Sequence, residues 1–210
     1  MPTIAKTLKR EQFEIEKHLI LDRHYSEYSL LQNYHSNGIH KIMKNLILLL
    51  LLTNYCSFAQ SYDAKDYFEE GLAKSSLKDQ SGAIAAYTKA IEIDPDYDNA
   101  YFHRALSKYN SKDYSGAIAD FTKAIEISPF ETAVYYNRRG LTKYKLKDYN
   151  GAIIDCTKAI EINPDYGTAY YVRGLPKYKL NDKNGACQDA RKALKLGYKN
   201  ASKLIKKVCN

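Results

Sequence analysis

Residues 87–97 read YTKAIEIDPDY, and the phrase returns with small changes as FTKAIEISPF at 121–130 and CTKAIEINPDY at 156–166. Pro95, Pro129 and Pro164 stand 34 and 35 residues apart, inside the interval of roughly 20 to 50 residues that marks stacked repeat architectures. A catalytic centre needs unlike groups converging on one point. Near-identical copies at a fixed period instead suit units that bury a face against the next unit in line.

Numbering each copy so that its proline falls at place 32, the copies begin at Ala64, Asp98 and Ala133, with one inserted residue near SPFETAVYY. A weaker fourth copy begins at Gly167. Small residues then align: Gly71, Ala105, Gly140 and Gly174 at place 8; Ala83, Ala117, Ala152 and Ala186 at place 20; Ala90, Ala124, Ala159 and Ala193 at place 27. Small side chains let two helices approach closely, and the bulky Tyr87 and Phe121 at place 24 fill the space beside them. Each unit is therefore predicted to be a helical hairpin. Asp79, Asp113, Asp148 and Asp182 at place 16 are suited to cap the second helix. The proline stops that helix by restricting the residue before it and withholding an N–H.

This pattern, with Tyr at place 4, a small residue at place 8, an aromatic at place 24 and proline at place 32, resembles the tetratricopeptide repeat of exported bacterial proteins over roughly residues 62–199. The resemblance implies an all-α, right-handed superhelical solenoid of about four helical hairpins, near 64–97, 98–132, 133–166 and 167–199. A capping helix is expected over 200–210, where Leu204, Ile205 and Val208 are placed to cover the open end. The fourth copy degrades: Ala190 takes place 24, Tyr198 takes place 32, and Pro176 falls inside the first helix, where it is expected to remove a hydrogen bond and bend the axis. Two places depart from the family. Place 11 holds Lys, and place 7 holds Arg104, Arg139 and Arg173, each with an Asp at place 23 of its own copy: Asp120, Asp155 and Asp189. A hairpin turning near place 15 sets places 7 and 23 side by side, so these residues are expected to form structural ion pairs. In the first copy both partners are missing together, as Glu70 and Ala86.

In the family, first helices line a concave groove. Carried over by place, that face takes Phe68, Leu72, Phe102, His103, Leu106, Tyr109, Asn137, Arg138, Leu141, Tyr144, Tyr171, Leu175 and Tyr178. Such an apolar and aromatic strip suits an extended peptide or partner helix, with Asn137 and Arg138 as polar anchors. The alternative is that some of these side chains simply pack between helices. The chaperone-tail carboxylate clamp of some relatives needs Lys and Asn where this chain has Phe68 and Leu72, so that ligand class is not expected. No catalytic residues, cofactor, metal site or small-molecule substrate are called for: no GxGxxG or phosphate-cradling loop follows a strand, and a lone His103 carries no chemistry by itself.

The composition is that of a globular protein: 210 residues, 45% apolar and 27% charged, with 20 Tyr, no Trp and a formal charge of +8. The charge is graded. Residues 60–98 hold four Lys against nine Asp or Glu, and residues 167–210 hold eleven Lys or Arg against two Asp. The alternative function is thus nonspecific binding of an anionic polymer or nucleic acid through the basic C-terminal half; the gradient equally suits head-to-tail self-association or contact with an anionic envelope surface.

Residues 43–59, MKNLILLLLLTNYCSFA, have the layout of a secretory signal, with a positive start, seven Leu or Ile from Leu46 to Leu52, and small residues before a cut after Ala59. Residues 1–42 are expected to be an upstream extension foreign to the native product. Periplasmic or secreted localisation follows, with signal anchoring in the inner membrane as the alternative, and membrane contact is otherwise not expected. Of the cysteines, Cys156 falls at the core place 24. Cys187 and Cys209 fall opposite one another in a hairpin turning near Gly197 and Tyr198, and are expected to form a disulfide in an oxidising compartment.

Overall fold

The computed structural model describes residues 62–128 and 133–209, together with Leu46. The upstream extension and, apart from Leu46, the signal segment lie outside the described residues. The chain divides into two units at Asp63, and the second, Ala64–Asn210, carries the repeats. Its helices are α1 Ala64–Ser76, α2 Gln80–Ile93, α3 Asp98–Asn110, α4 Tyr114–Ile127, α5 Ala133–Lys145, α6 Tyr149–Ile162, α7 Gly167–Lys179, α8 Lys183–Lys195 and α9 Ala201–Val208. They pair as antiparallel hairpins α1–α2, α3–α4, α5–α6 and α7–α8, each second helix packing on the first helix of the next pair, in the superhelical arrangement of a tetratricopeptide array.

One aspartate per repeat organises each hairpin turn. The side chains of Asp79, Asp113, Asp148 and Asp182 accept hydrogen bonds from the N–H groups of Gly82, Gly116, Gly151 and Gly185 at 2.8–2.9 Å, capping the second helices. Their own N–H groups donate back to the carbonyls of Lys74, Lys108, Lys143 and Lys177 at 2.9–3.0 Å, closing the first helices with the six-to-one bond of a Schellman turn. The same residue therefore ends one helix and starts the next. The geometry requires left-handed backbone just before it, and Lys78, Lys112, Lys147 and Asn181 supply it, with φ of 64°, 67°, 66° and 65°. Lysine lacks the freedom of glycine there. Lys147→Gly is therefore expected to raise stability by about 0.5 to 1 kcal/mol, measured by urea denaturation.

The core is built from the aligned small residues. The alanines of places 20 and 27 are fully buried in every repeat. At place 8 a Cβ added to Gly71 would overlap the Tyr87 ring, and one added to Gly140 would lie 2.8 Å from Cys156 Sγ. Helix α7 runs through Pro176, which is buried, and continues to Lys179. Helix α9 then lays Leu204 and Val208 on Ala186 and Ala190, giving the last hairpin the apolar cover that a further repeat would provide.

Candidate functional site

The first helices carry the residues that sequence places on the concave face, and the structure sorts them into three groups. In the first two repeats the aromatics form one cluster. Phe68 lies 5.0 Å from Tyr97 and 5.3 Å from His103, and Phe102 stacks on Tyr135 at 4.6 Å. The Tyr135 hydroxyl donates to Asp98 at 3.0 Å. Leu72 is exposed and Leu106, Tyr109, Leu141 and Tyr144 are half-buried, Tyr109 leaning on Tyr114 and Tyr144 on Tyr149. Arg138 is exposed beside Tyr109, whose phenol is pushed up by burial and by Tyr114 and drawn down by the Arg138 charge.

Asn137 does not belong with this open set. It is 1% exposed, and its amide donates to the Tyr166 hydroxyl at 3.3 Å. As an anchor for a ligand it is withdrawn into the stack, because at this place the side chain meets the tyrosine that precedes the next repeat. Tyr171, Leu175 and Tyr178 are half-buried, as Phe102, Leu106 and Tyr109 are. They pack against the cluster that α9 covers, with Tyr171 4.8 Å from Tyr198 and Lys207 above the Tyr178 ring at 4.9 Å.

His103 sits between Phe68, Tyr87 and Phe102, and burial lowers its pKa below the ordinary 6.5. The unfolded chain then binds the proton more readily than the folded one. His103 therefore favours the folded state fully above pH 6.5, and this contribution is lost as pH falls from 6.5 through the lowered folded value. His103→Phe is expected to flatten the loss of stability across that window, read from thermal melts at successive pH values.

A second constellation repeats along the array. Arg104 donates through Nε and Nη2 to both oxygens of Asp120 at 2.8 Å, and Arg139 with Asp155 and Arg173 with Asp189 repeat the fork at 2.7–2.9 Å. Each aspartate also meets a lysine of place 11, Lys108, Lys143 or Lys177, at 2.8–2.9 Å. The remaining guanidinium nitrogen, Nη1, reaches back to the preceding repeat, to Thr88, Thr122 or Thr157, at 3.0–3.2 Å. The guanidinium planes lie over Tyr101, Tyr136 and Tyr170. The lysine, threonine and tyrosine partners were missed from sequence, although each recurs at a fixed place. In the first repeat Glu70 pairs with Lys74 at 2.9 Å, and at the last, Arg191 stands where earlier repeats have the threonine. These links join each of the last three hairpins internally and to its predecessor.

Cys187 and Cys209 are disulfide-bonded with their Cα atoms 5.1 Å apart, tying the end of the chain to α8. The bond spans 22 residues. Replacing both cysteines by serine is expected to lower stability by about 3 kcal/mol, checked by urea denaturation against wild type and against wild type with reductant. Cys156 is buried and its thiol is pushed up to about 12, chiefly by burial with Asp155 adding to it, so it stays protonated and unreactive.

Family models described as tetratricopeptide repeat match residues 133–166 and 98–131, and one described as TPR repeat matches 71–112. Among curated sequences none matches the chain. Among solved structures, MamA is 24% identical with a TM-score of 0.62, covering 68% of this chain and 78% of MamA. The TPR domain of Arabidopsis OM64 is 28% identical at 0.51, covering 53% and 93%. The second TPR domain of human RPAP3, solved in complex with an HSP70 peptide, is 28% identical at 0.50, covering 52% and 92%. Repeat length, capping aspartates, small-residue contacts and stacked hairpins all agree with these matches. Over residues 71–131 and 133–166 the chain is thus similar to the tetratricopeptide repeat, and its fold is that of a tetratricopeptide array.

Proposed function

We propose that the chain is a scaffold that binds an extended peptide or a partner helix along the concave side of its first helices. The observation that carries the reading is the strip of partly open apolar and aromatic side chains, Leu72, Leu106, Tyr109, Leu141 and Tyr144, beside the exposed Arg138. Tyrosines contribute contact area at low entropic cost, and arginine can fork onto a carboxylate or backbone carbonyls. The RPAP3 domain holds an HSP70 peptide in the same fold, which supports a peptide ligand. Phe68 and Leu72 stand where the chaperone-tail clamp needs Lys and Asn, so the ligand expected here is an internal apolar segment. Export from the cytosol fits the disulfide, since such bonds persist in oxidising compartments.

Affinity capture from an envelope extract, comparing wild type with Tyr109→Ala plus Tyr144→Ala, tests the reading. A discrete partner is expected on the wild type and at least roughly tenfold less on the double variant. Equal recovery by both proteins would remove the groove from the account.

A further inference from the structure

We propose that the C-terminal end of the array docks on an anionic phospholipid surface. This surface is separate from the groove and does not depend on what the groove binds. Lys183, Arg191, Lys195, Lys199 and Lys203 are all exposed. The two carboxylates in this part of the chain are already engaged: Asp182 caps α8 through the Gly185 N–H at 2.8 Å, and Asp189 is buried between Arg173 and Lys177. Eleven Lys and Arg over residues 167–210 outnumber these two carboxylates, and only Asp182 is exposed.

On α8, Arg191 shares a face with Leu194 by three-residue spacing and with Lys195 by four, and Leu194 is 41% exposed. An exposed leucine near exposed cations suits an interfacial contact, in which the charges meet headgroups and the leucine enters the acyl boundary. Helix α9 lies against α8 and buries Leu204 and Val208, leaving Lys203 outward. The Cys187–Cys209 bond fixes α9 to α8, so the cations of both helices are carried on one rigid unit.

The same charge would attract nucleic acid, but two observations favour lipid. The disulfide belongs to an oxidising compartment, where nucleic acid is not the resident polyanion. Binding of single strands also needs aromatic faces for base stacking, and the aromatics at this end are taken: Tyr171 by Tyr198, Tyr178 by Lys207 and Tyr170 by Lys192.

The full chain is tested by co-sedimentation with two kinds of vesicle, phosphatidylcholine alone and phosphatidylcholine with one third phosphatidylglycerol, at low and high salt. Binding is expected only to the anionic vesicles, weakening as salt rises. Arg191→Glu, Lys195→Glu and Lys203→Glu together should lower it by about tenfold or more, with the circular dichroism melt unchanged. The apolar run at 46–52 would instead bind both vesicle types and ignore these substitutions. Equal binding to neutral vesicles, no binding at low salt, undiminished binding by the triple variant, or tighter binding to a DNA duplex at equal salt would each overturn the proposal. Should the triple variant melt early, Leu194→Gln gives a second reading: weaker vesicle binding is expected, and unchanged binding would count against the interfacial contact.

Discussion

Asp155→Leu is expected to destabilise the protein by about 3 kcal/mol, toward the lower end of the range for breaking a buried ion pair. The aspartate side chain is 3% exposed and holds two cations, Arg139 at 15% and Lys143 at 21% exposure. Removing it leaves both without their counter-charge in a site that water reaches poorly. The partial exposure of the cations is what keeps the loss below that of a fully buried pair. Replacing Arg139 and Asp155 together by leucine should recover a large part of the loss, because desolvation offsets most of the attraction in such a pair. A double-mutant cycle by urea denaturation is expected to give a coupling energy above about 1 kcal/mol. A coupling near zero would mean that the forked contact carries no energy and that register is set by the alanine seam alone.

Tyr87→Ala is expected to cost about 3 to 5 kcal/mol, as a large aromatic is cut from a fully packed site. Tyr87 is 0% exposed, and Gly71 exists as glycine because the ring occupies the space of its Cβ. The hydroxyl of the same residue is buried without a hydrogen-bond partner, and burial accordingly raises its pKa. Tyr87→Phe should therefore be neutral or stabilising by up to about 1 kcal/mol, since it removes an orphaned polar group while keeping the ring. The second repeat already has Phe121 at this place. Thermal and urea melts of the two variants separate the value of the ring from the penalty of its oxygen. A Phe variant as damaged as the Ala variant would show that the hydroxyl does find a partner in solution.

These two sites also mark what could be read from sequence. Places 8, 20, 24 and 27 were legible because close helix approach admits few side chains, and the same few recur at each period. The capping aspartates were legible for a similar reason, since a short oxygen-bearing side chain before a helix has a local role. Lys78, Lys112 and Lys147 were not legible as left-handed residues: lysine has no local preference for that backbone, which the surrounding turn imposes. Thr88, Thr122 and Thr157 were missed because their hydroxyls meet the arginine of the following repeat, a contact that no single hairpin contains.

The candidate groove was less legible than the fold. Position in the repeat states which way a side chain begins but not what arrives later to cover it. Tyr171, Leu175 and Tyr178 occupy the same places as their counterparts in earlier repeats, yet the cluster they pack against includes Leu204 and Val208 of α9. Asn137 shares its place with Phe68 and Phe102, yet it is drawn inward by Tyr166. Both outcomes depend on the element that follows in the stack.

Site-specific photocrosslinking tests the central claim most directly. A photoreactive amino acid is placed at Leu106, on the first helix α3, or at Ile154, on the second helix α6 and 67% exposed, and the chain is irradiated in its native extract. The account predicts a discrete crosslinked partner from position 106 and none from position 154. The same partner captured from position 154, with position 106 silent, would contradict it.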